Sequence, residues 1–222
     1  MGINNGNGIY KGSDCPNDFS GMSGAVNLPL TVDANGNLTN NGDDLDVSGN
    51  FAWAEGSNNK AIGASSHAEG YKTKATGARS HAEGESTMAS GIRAHAEGYQ
   101  TNATGSSSHA EGNYTKATAK YSHAEGSASE ANGERSHAGG NHCIANAVDA
   151  FVHGSELLTT SQKCTVFGEY NADEAAYFII GGGTADDSRK NIFKIDKSGN
   201  LWFMHNGVLT NLSLLLNSHN IT

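Results

Sequence analysis

Several features of ordinary protein domains are scarce in this chain of 222 residues. Proline occurs only at Pro16 and Pro29, so nothing beyond them interrupts a hydrogen-bonded strand ladder. The cysteines, Cys15, Cys143 and Cys164, are too sparse and odd in number for a disulfide framework. The sequence contains no long apolar run, so no membrane span is predicted. It also contains no apolar pattern with the 3.6-residue period of a helix. Together these absences favour strands and tight turns.

Positive charge is also scarce. The chain has 14 basic and 23 acidic residues, for a net charge of -9, and no basic stripe. This balance argues against a nucleic-acid partner. The segment Met1–Asn5 is polar and uncharged, unlike a secretory signal. The few cysteines fit assembly in a reducing cytoplasm, and a fragment of an exported protein is the alternative.

What the chain does have is a repeat of fourteen residues. A glycine returns at Gly56, Gly70, Gly84, Gly98, Gly112, Gly126, Gly140, Gly154 and Gly168. Five of them close His-Ala-Glu-Gly, which begins at His67, His81, His95, His109 and His123, and His137 opens His-Ala-Gly-Gly. A fixed period predicts a solenoid. Fourteen residues suit one coil of two short strands and two turns, so we predict an all-β fold.

Strand alternation assigns the two faces of each coil. In the coil around Gly84, Ala82 is predicted to face Ala89 across a thin interior, with Thr87 on the same side as Ala89. His81 and Glu83 then point outward. Because an interior of Ala, Gly and Thr buries little apolar area, such a core is weak by itself.

The outward His and Glu positions hardly vary between coils, whereas the neighbouring turn positions vary freely. Near-constancy on an outer face predicts contact with something regular, and the simplest such object is another copy of the chain. We therefore predict an interface ladder formed by His67, Glu69, His81, Glu83, His95, Glu97, His109, Glu111, His123, Glu125 and His137. Within and between chains, the histidines are expected to donate hydrogen bonds to the glutamates.

Coils with Ser-x-Ala-x-Gly, followed two residues on by Thr/Ser-x-Ala, resemble the head repeats of trimeric autotransporter adhesins. The variant Ser-His-Ala-Glu-Gly is similar to repeats in tail-fibre and appendage proteins of bacteriophages. The resemblance covers about half of the chain and implies a left-handed parallel β-roll that assembles as a homotrimer. The chain departs from the adhesin repeats by carrying His and Glu where that family usually has apolar residues.

The flanks of the repeat divide the chain into three regions. Residues 1–50 are a Gly/Asn-rich region with a β-hairpin at Asn35-Gly36, residues 51–168 are the roll, and residues 169–222 hold a second hairpin between Ile192 and Met204. The stretch Ala176–Ile180 predicts a buried strand, and the apolar tail Val208–Leu216 is expected to pack in the trimer. Trp53, in the first coil, is expected to cap the open end of the stack.

Calcium and catalytic sites are weakly indicated. Asp33, Asn35 and Asn37 suggest a calcium loop, but the closing Glu and flanking helices are missing, so an Asx-stabilised turn is preferred. A His-x-Glu zinc deaminase site also needs Cys-x-x-Cys, which is absent from the sequence. No nucleophile elbow is present, and no carboxylate pair stands out from the lattice. We predict no enzymatic activity and no cofactor.

Two further sets of residues are candidates for binding. His and Glu two apart on a strand share a face, so His81, Glu83, His95 and Glu97 are the candidate metal ligands, with a hydrogen-bonded ladder as the simpler interpretation. Aromatic and Arg side chains at the variable positions could bind a sugar: Tyr71, Arg79, Arg93, Tyr99, Tyr114, Tyr121 and Arg135.

From the resemblance we expect a structural or receptor-binding component of a phage tail fibre, located in the virion tail. Its expected partners are its own copies, other tail proteins and a bacterial surface receptor, with a glycan as one candidate. Neither nucleic acid nor membrane insertion is expected. The alternative is the head of a bacterial trimeric adhesin on the cell surface. An ice-binding solenoid is disfavoured because Thr73 and Thr76 have opposite parity and form no flat Thr array.

Overall fold

The computed structural model describes residues 30–32, 38–40 and 45–218. These residues are almost wholly β, and they form a β-solenoid of stacked coils, each about fourteen residues long, as the repeat predicts. The proposed calcium ligands Asp33, Asn35 and Asn37 lie outside the described residues, as does Cys15.

Each coil contributes one long and one short strand. In the described part of the chain, the long strands are Trp53–Ser57 (β3), His67–Tyr71 (β5), His81–Glu85 (β7), His95–Tyr99 (β9), His109–Asn113 (β11), His123–Ala124 (β13), His137–Asn141 (β15), Phe151–Ser155 (β17) and Thr165–Glu169 (β19). The short strands are Lys60–Ala61 (β4), Lys74–Ala75 (β6), Met88–Ala89 (β8), Asn102–Ala103 (β10), Lys116–Ala117 (β12), Glu130–Ala131 (β14), Ile144–Ala145 (β16) and Leu158–Thr159 (β18).

Long strands pair with long strands and short strands with short strands, always in parallel and in register. In β7 and β9, for example, His81 lies opposite His95 and Glu83 opposite Glu97. Equivalent residues of successive coils therefore form columns along the roll. We call the sheet of long strands the long sheet, and its outer face carries the His and Glu columns.

The interior between the two sheets is as thin as the alternation predicts. Ala82 and Ala89 are fully buried, and Thr87 is 1% exposed. Ser80, which precedes the histidine, is also buried. Because these side chains are small, the two sheets lie close together and little apolar surface is removed from water.

The recurring glycine is required by how closely the coils stack. Gly98 has φ +106°, a conformation that costs other residues energy. A Cβ on Gly98 would lie 2.2 Å from the carbonyl oxygen of Gly112 in the next coil. The fourteen-residue glycine series thus follows from stacking one identical turn on another.

Two turns per coil complete the circuit. The first turn follows each long strand and the second follows each short strand. Each contains one non-glycine residue in the left-handed region, with φ between 40° and 60°. In the first turn these are Asn58, Lys72, Ser86, Gln100, Tyr114, Ala128, His142, Glu156 and Tyr170. In the second turn they are Phe51, Ser65, Arg79, Arg93, Ser107, Tyr121, Arg135, Asp149 and Lys163.

The N-terminal flank extends the long sheet. Strands Leu30–Val32 (β1) and Leu38–Asn40 (β2) pair antiparallel, as the predicted hairpin requires. Strand β2 then pairs in parallel with β3, with Leu38 opposite Trp53. The expectation that Trp53 caps the open end of the stack is therefore wrong, because another strand continues the sheet beyond it. Trp53 instead ends the column of rings, stacking on His67 with centroids 4.7 Å apart.

The C-terminal flank begins as a continuation of the roll. Strand Ala176–Gly182 (β20) pairs in parallel with β19, so parallel pairing continues beyond residue 168. The predicted strand at this position is confirmed, but its full burial is wrong, since Tyr177 is 49% exposed. A short 3₁₀ helix, Asp186–Ser188, leads into the antiparallel strands Asn191–Asp196 (β21), Leu201–His205 (β22) and Val208–Asn211 (β23) and the helix Leu212–Ser218 (α1).

The second hairpin is confirmed as the antiparallel pair β21 and β22, and Asp196 stabilises its turn. The carboxylate accepts hydrogen bonds from the backbone N–H groups of Ser198 and Asn200, each at 2.9 Å. It also accepts from the side chain of Asn200 at 3.0 Å and the indole N–H of Trp202 at 2.9 Å. These bonds, led by the one from the Asn200 side chain, lower the pKa of Asp196 to about 2.

Candidate functional site

The outer face of the long sheet carries a column of imidazole rings. The rings of His67, His81, His95, His109 and His123 stack face to face, with successive centroids 4.6–4.8 Å apart and planes within 6° of parallel. Parallel pairing in register imposes this arrangement, because it places the same side chain directly above itself at the strand spacing. The predicted sharing of one face by the ladder histidines is therefore confirmed.

The hydrogen-bonded ladder predicted within the chain is wrong. His81 Nε2 lies 3.7 Å from Glu83 Oε2, and His95 Nε2 lies 3.6 Å from Glu97 Oε2, and both distances are longer than a hydrogen bond. The Nε2 atoms of the six column histidines are covered and have no hydrogen-bond partner among the described residues: His67, His81, His95, His109, His123 and His137. Stacking of the rings, not pairing with carboxylates, organises the column.

The glutamates form a second column beside the imidazoles. Glu55, Glu69 and Glu83 occupy equivalent positions in β3, β5 and β7. The side chain of Glu69 is 35% exposed. Burial, followed by the neighbouring carboxyl groups of Glu55 and Glu83, raises the pKa of Glu69 to about 7. A carboxyl in the middle of this column thus retains a proton far above its ordinary range.

The imidazoles respond in the opposite sense. Burial lowers the pKa of His67, His95 and His137, and in each case a neighbouring imidazole lowers it further. Stacked rings disfavour adjacent positive charges just as stacked carboxyls disfavour adjacent negative ones. Burial and like neighbours thus both favour the neutral forms of Glu69, His67, His95 and His137.

The candidate metal ligands in the columns are close but poorly oriented for one ion. His81, Glu83 and His95 each offer a ligand atom within 4.8 Å of the others, as do His95, Glu97 and His109. However, the rings of His81 and His95 are 4.8 Å apart and within 6° of parallel, so their in-plane lone pairs do not converge. An ion bound by two imidazoles holds the nitrogens at most about 4.2 Å apart, twice the Zn–N distance.

The regular His and Glu columns are interrupted at the sixth histidine, His137. His137 is perpendicular to His123, with planes at 89°, and it stacks instead on Phe151 at 4.6 Å. At the next position of the Glu column stands Gly139, and one coil further stands His153. Glu125 Oε1 lies 3.4 Å from His137 Nε2 and 3.6 Å from His153 Nδ1.

Beyond this interruption the outer face becomes apolar. Phe151 stands in the His column and Phe167 in the Glu column, and the two rings are 5.6 Å apart. They are 36% and 39% exposed. Trp53, at the other end of the column, is 38% exposed. Large apolar side chains thus flank the polar columns on the same face.

The residues predicted to bind a sugar do not form one surface. Tyr71, Tyr99 and Tyr114 lie at the first turns and are exposed, with Tyr99 and Tyr114 in edge-to-face contact at 5.3 Å. The remaining candidates lie at the second turns, along a different edge of the roll: Arg79, Arg93, Tyr121 and Arg135.

Arg135 differs from the other second-turn candidates because its guanidinium is already paired. Its Nε donates to Asp149 Oδ1 at 2.6 Å and its Nη1 to Glu134 Oε1 at 2.7 Å. Arg93, in contrast, has a long contact of 3.4 Å with the hydroxyl of Ser107. The structure therefore separates the predicted sugar-binding set into an aromatic edge and a mainly cationic edge.

The group that sequence reasoning missed is the one at the interruption. His-Ala-Gly-Gly and His153 are visible in the sequence as departures from the repeat. Aligning the coils by their glycines places His153 and Gly139 in the column of Glu125 and would have brought them together. That alignment does not tell how the rings rotate, and the rotation decides which atoms converge.

The comparisons with known proteins do not identify the chain. No protein-family model matches it, and no curated protein is significantly similar to it. Within the part of the chain that the structure describes, no helix is long and apolar enough to cross a membrane.

Proposed function

We propose that this chain is a structural and receptor-binding component of a phage tail fibre. Three copies pack the outer faces of their long sheets together, forming a stiff left-handed parallel β-roll trimer. The fibre presents its turn edges to the bacterial surface, where the receptor, with a glycan as one candidate, is bound. This role involves no catalysis by the chain and no cofactor.

One observation carries the proposal: the outer face of the long sheet presents the same partly exposed side chains at almost every level of the stack. The side chains of His81 and Glu83 are 35% and 34% exposed, and those of His95 and Glu97 are 36% and 35% exposed. A second copy placed against the columns would cover these exposed parts and could pair their remaining polar atoms, as polar groups in protein interiors usually are.

Electrostatics supports the same arrangement. Carboxylates about 4.8 Å apart repel by roughly 3 kcal/mol at an effective dielectric constant near 20, and by about 1 kcal/mol in water. Burial is the largest cause of the raised pKa of Glu69, and the neighbouring carboxyl groups of Glu55 and Glu83 add to it. Imidazole N–H donors from neighbouring copies would relieve the repulsion between carboxylates, so association and the His-Glu alternation fit each other.

Apolar side chains on both sides of the columns also favour association. Phe151 and Phe167 are more than a third exposed on the same face. Near the C-terminus Val208 and Leu214 are 64% and 63% exposed. Clusters of large exposed apolar side chains commonly mark protein interfaces. We assign the C-terminal segment as the part that fixes the trimer.

The mass in solution tests the trimer directly. Light scattering after gel filtration is expected to give three times 23.0 kDa. His95→Glu, which adds a carboxylate on the sheet face, is expected to shift the assembly toward monomer. Arg93→Glu also introduces a carboxylate in the same coil, but at an exposed turn, and it changes the charge by more than His95→Glu does, which makes it a stringent control. A monodisperse wild-type monomer would disprove the interface.

Location and receptor need separate measurements. Antibodies against the chain, labelled with gold, are expected to decorate phage tails in electron micrographs. The purified trimer is expected to bind bacterial cells and to compete with phage adsorption. Binding only to host tissue would favour the adhesin-head alternative, and release of soluble sugars from cell-wall glycans would contradict the non-enzymatic role.

A further inference from the structure

The most distinctive cluster of side chains lies where the repeat is broken. Glu125 ends the Glu column, Gly139 replaces the next glutamate, and His153 stands one coil beyond it. The three residues, together with His137, span three successive coils of the roll. This arrangement is separate from the proposed receptor surface, which lies along the turns.

The atoms of this cluster converge on one oxygen. Glu125 Oε1 is 3.4 Å from His137 Nε2 and 3.6 Å from His153 Nδ1. All three atoms lie within 4.8 Å of one another. By contrast, Glu83 contacts the single imidazole of His81 at 3.7 Å. The interruption thus brings two imidazoles to one carboxylate oxygen, which the regular coils do not.

Glycine at position 139 makes this convergence possible. A Cβ on Gly139 would lie 2.5 Å from His153 Nδ1 and 2.8 Å from Glu125 Oε1. A side chain there would therefore occupy the space toward which both ligand atoms point. His137 Nε2 is covered and has no hydrogen-bond partner in the described part of the chain.

We propose that Glu125, His137 and His153 bind one divalent transition-metal ion of the Zn²⁺ class per chain. Two imidazoles and one carboxylate are a ligand set that Zn²⁺ accepts, with water in the remaining position. In a tetrahedral site with metal–ligand distances near 2.05 Å, the ligand atoms are about 3.4 Å apart. Two of the three edges already match, since Glu125 Oε1 lies 3.4 and 3.6 Å from the two nitrogens. The third edge, between the nitrogens of His137 and His153, is at most 4.8 Å and would close to about 3.4 Å when the ion binds.

The metal would join three coils at the point where the face changes from polar columns to phenylalanine. Each ligand comes from a different coil, so the ion resists separation of the long strands there. Binding only to the folded chain raises stability in proportion to the logarithm of metal concentration over the dissociation constant. The ion is thus a structural clamp, and it acts in one chain whether or not copies associate.

Calorimetric titration of the tag-free full-length chain with ZnCl₂ tests this assignment. We expect one ion per chain and a visible Co²⁺ spectrum typical of tetrahedral coordination. His153→Gln is expected to lower Zn²⁺ affinity on the order of 100-fold or more. Loss of a residue that only hydrogen-bonds to a metal ligand already lowers affinity by about 10- to 100-fold, and loss of a ligand itself should lower it at least as much. His142→Gln, which changes an exposed turn histidine outside the columns, is the control and should leave the affinity unchanged.

Gly139→Ala is the sharper variant because it keeps all three ligands in the chain and adds no new one. The regular coils carry a side chain at the equivalent position, so the fold is expected to be retained, which circular dichroism checks. A methyl group in the space between the ligand atoms should abolish Zn²⁺ binding. Unchanged binding by Gly139→Ala or His153→Gln would overturn the proposal. So would several ions per chain, which assigns binding to the columns, or one ion per three chains, which assigns it to a shared axis.

Discussion

The coils from His67 to Gly126 and the coils from His137 to Gly182 share one backbone but differ inside. In the first group the buried positions hold residues such as Ala96, Thr101 and Ala103. In the second group the positions equivalent to Ala96 include Val152 and Ile179, and the position equivalent to Thr101 in one later coil is Leu157. Fully burying a Leu or Ile contributes about 1.5–3 kcal/mol, whereas one methyl or methylene group contributes about 0.8 kcal/mol. The later coils therefore carry more of their own hydrophobic stabilisation.

The two groups also differ outside. In the regular coils, burial and then like neighbours in the same column raise the pKa of Glu69 and lower that of His95. The later coils show Phe151 and Phe167. The glycine and turn positions continue through both groups, so the stacking geometry does not depend on what fills or covers it. Backbone geometry therefore sets this fold, while the side chains set its local stability and contacts.

The largest effect is expected from changing that shared backbone. Gly98→Ala places a Cβ 2.2 Å from the carbonyl oxygen of Gly112 and forces alanine to φ +106°. We expect a loss of at least about 4 kcal/mol in the free energy of unfolding, or failure to fold. Urea denaturation followed by circular dichroism measures it.

Gly199→Ala is the matched control for that change. Gly199 also has positive φ, at +83°, but nothing lies within 4 Å of the added Cβ. The expected cost is therefore only the conformational one, about 1–2 kcal/mol. Equal losses for the two variants would mean that coil stacking is not what requires glycine.

The second prediction concerns two variants that exchange the buried residues of the two groups at one equivalent position of the coil. Leu157→Thr gives the last coils the residue of the regular ones, and Thr101→Leu does the reverse. Leu157→Thr is expected to cost about 2–4 kcal/mol through lost packing. Thr101→Leu is expected to cost about 1–3 kcal/mol, because the thin interior cannot accept the larger side chain.

Urea denaturation of both variants checks this pair. If Thr101→Leu stabilised the chain, the sheets in the regular coils would be free to move apart. The two groups of coils would then differ only in which residues fill their interiors, and not in how much space separates the two sheets.

A third prediction concerns the buried hydroxyls of the regular coils. Thr87 Oγ1 is buried and has no hydrogen-bond partner in the part of the chain that the structure describes. Thr115 Oγ1 donates to the carbonyl oxygen of Glu111 at 3.1 Å. Thr87→Val is expected to raise the free energy of unfolding by about 1 kcal/mol, and Thr115→Val to lower it by about 1 kcal/mol. Changes of the same sign in the two variants would contradict this reading of the interior.

The smallest effect is expected from pH. The pKa of Glu69 is raised in the folded state, so its favourable contribution is present below the unfolded value near 4.5 and is lost as pH rises through about 7. Glu69→Gln is therefore expected to raise the melting temperature at pH 8 by roughly 2 °C, since the site is partly exposed to solvent. The gain should be smaller at pH 5.

Glu130→Gln is the control with the opposite sign. The hydrogen bond from Lys116, at 2.7 Å, lowers the pKa of Glu130. Its stabilisation is present above the unfolded pKa and is lost as pH falls through the folded value. Glu130→Gln should therefore lower the melting temperature at pH 8. A loss for Glu69→Gln would show that the Glu column does not control the pH response, and a gain for Glu130→Gln would show that Lys116 does not stabilise the carboxylate of Glu130.

Part of the candidate site was predictable because it depends only on parity and period. Alternation along a strand places His81 and Glu83 outside and Ala82 inside, and the period of fourteen aligns each with its equivalent in the next coil. Two other predictions failed for physical reasons. Trp53 does not cap the stack, because strand β2 of the N-terminal hairpin, about one coil earlier in the chain, adds to the sheet. The histidines stack instead of donating to glutamates, because in-register pairing sets each ring above the next.

By itself the sequence determined the coil, its faces and the need for glycine, since these follow from strand alternation and a repeat within one chain. Only the tertiary structure decided how the side chains meet. Tyr99 and Arg93 lie on different edges because two turns separate them. Glu125, His137 and His153 converge because Gly139 leaves space and the ring of His137 turns away from the column. Such contacts depend on spacings of a few ångströms between coils, which no pattern along the chain encodes.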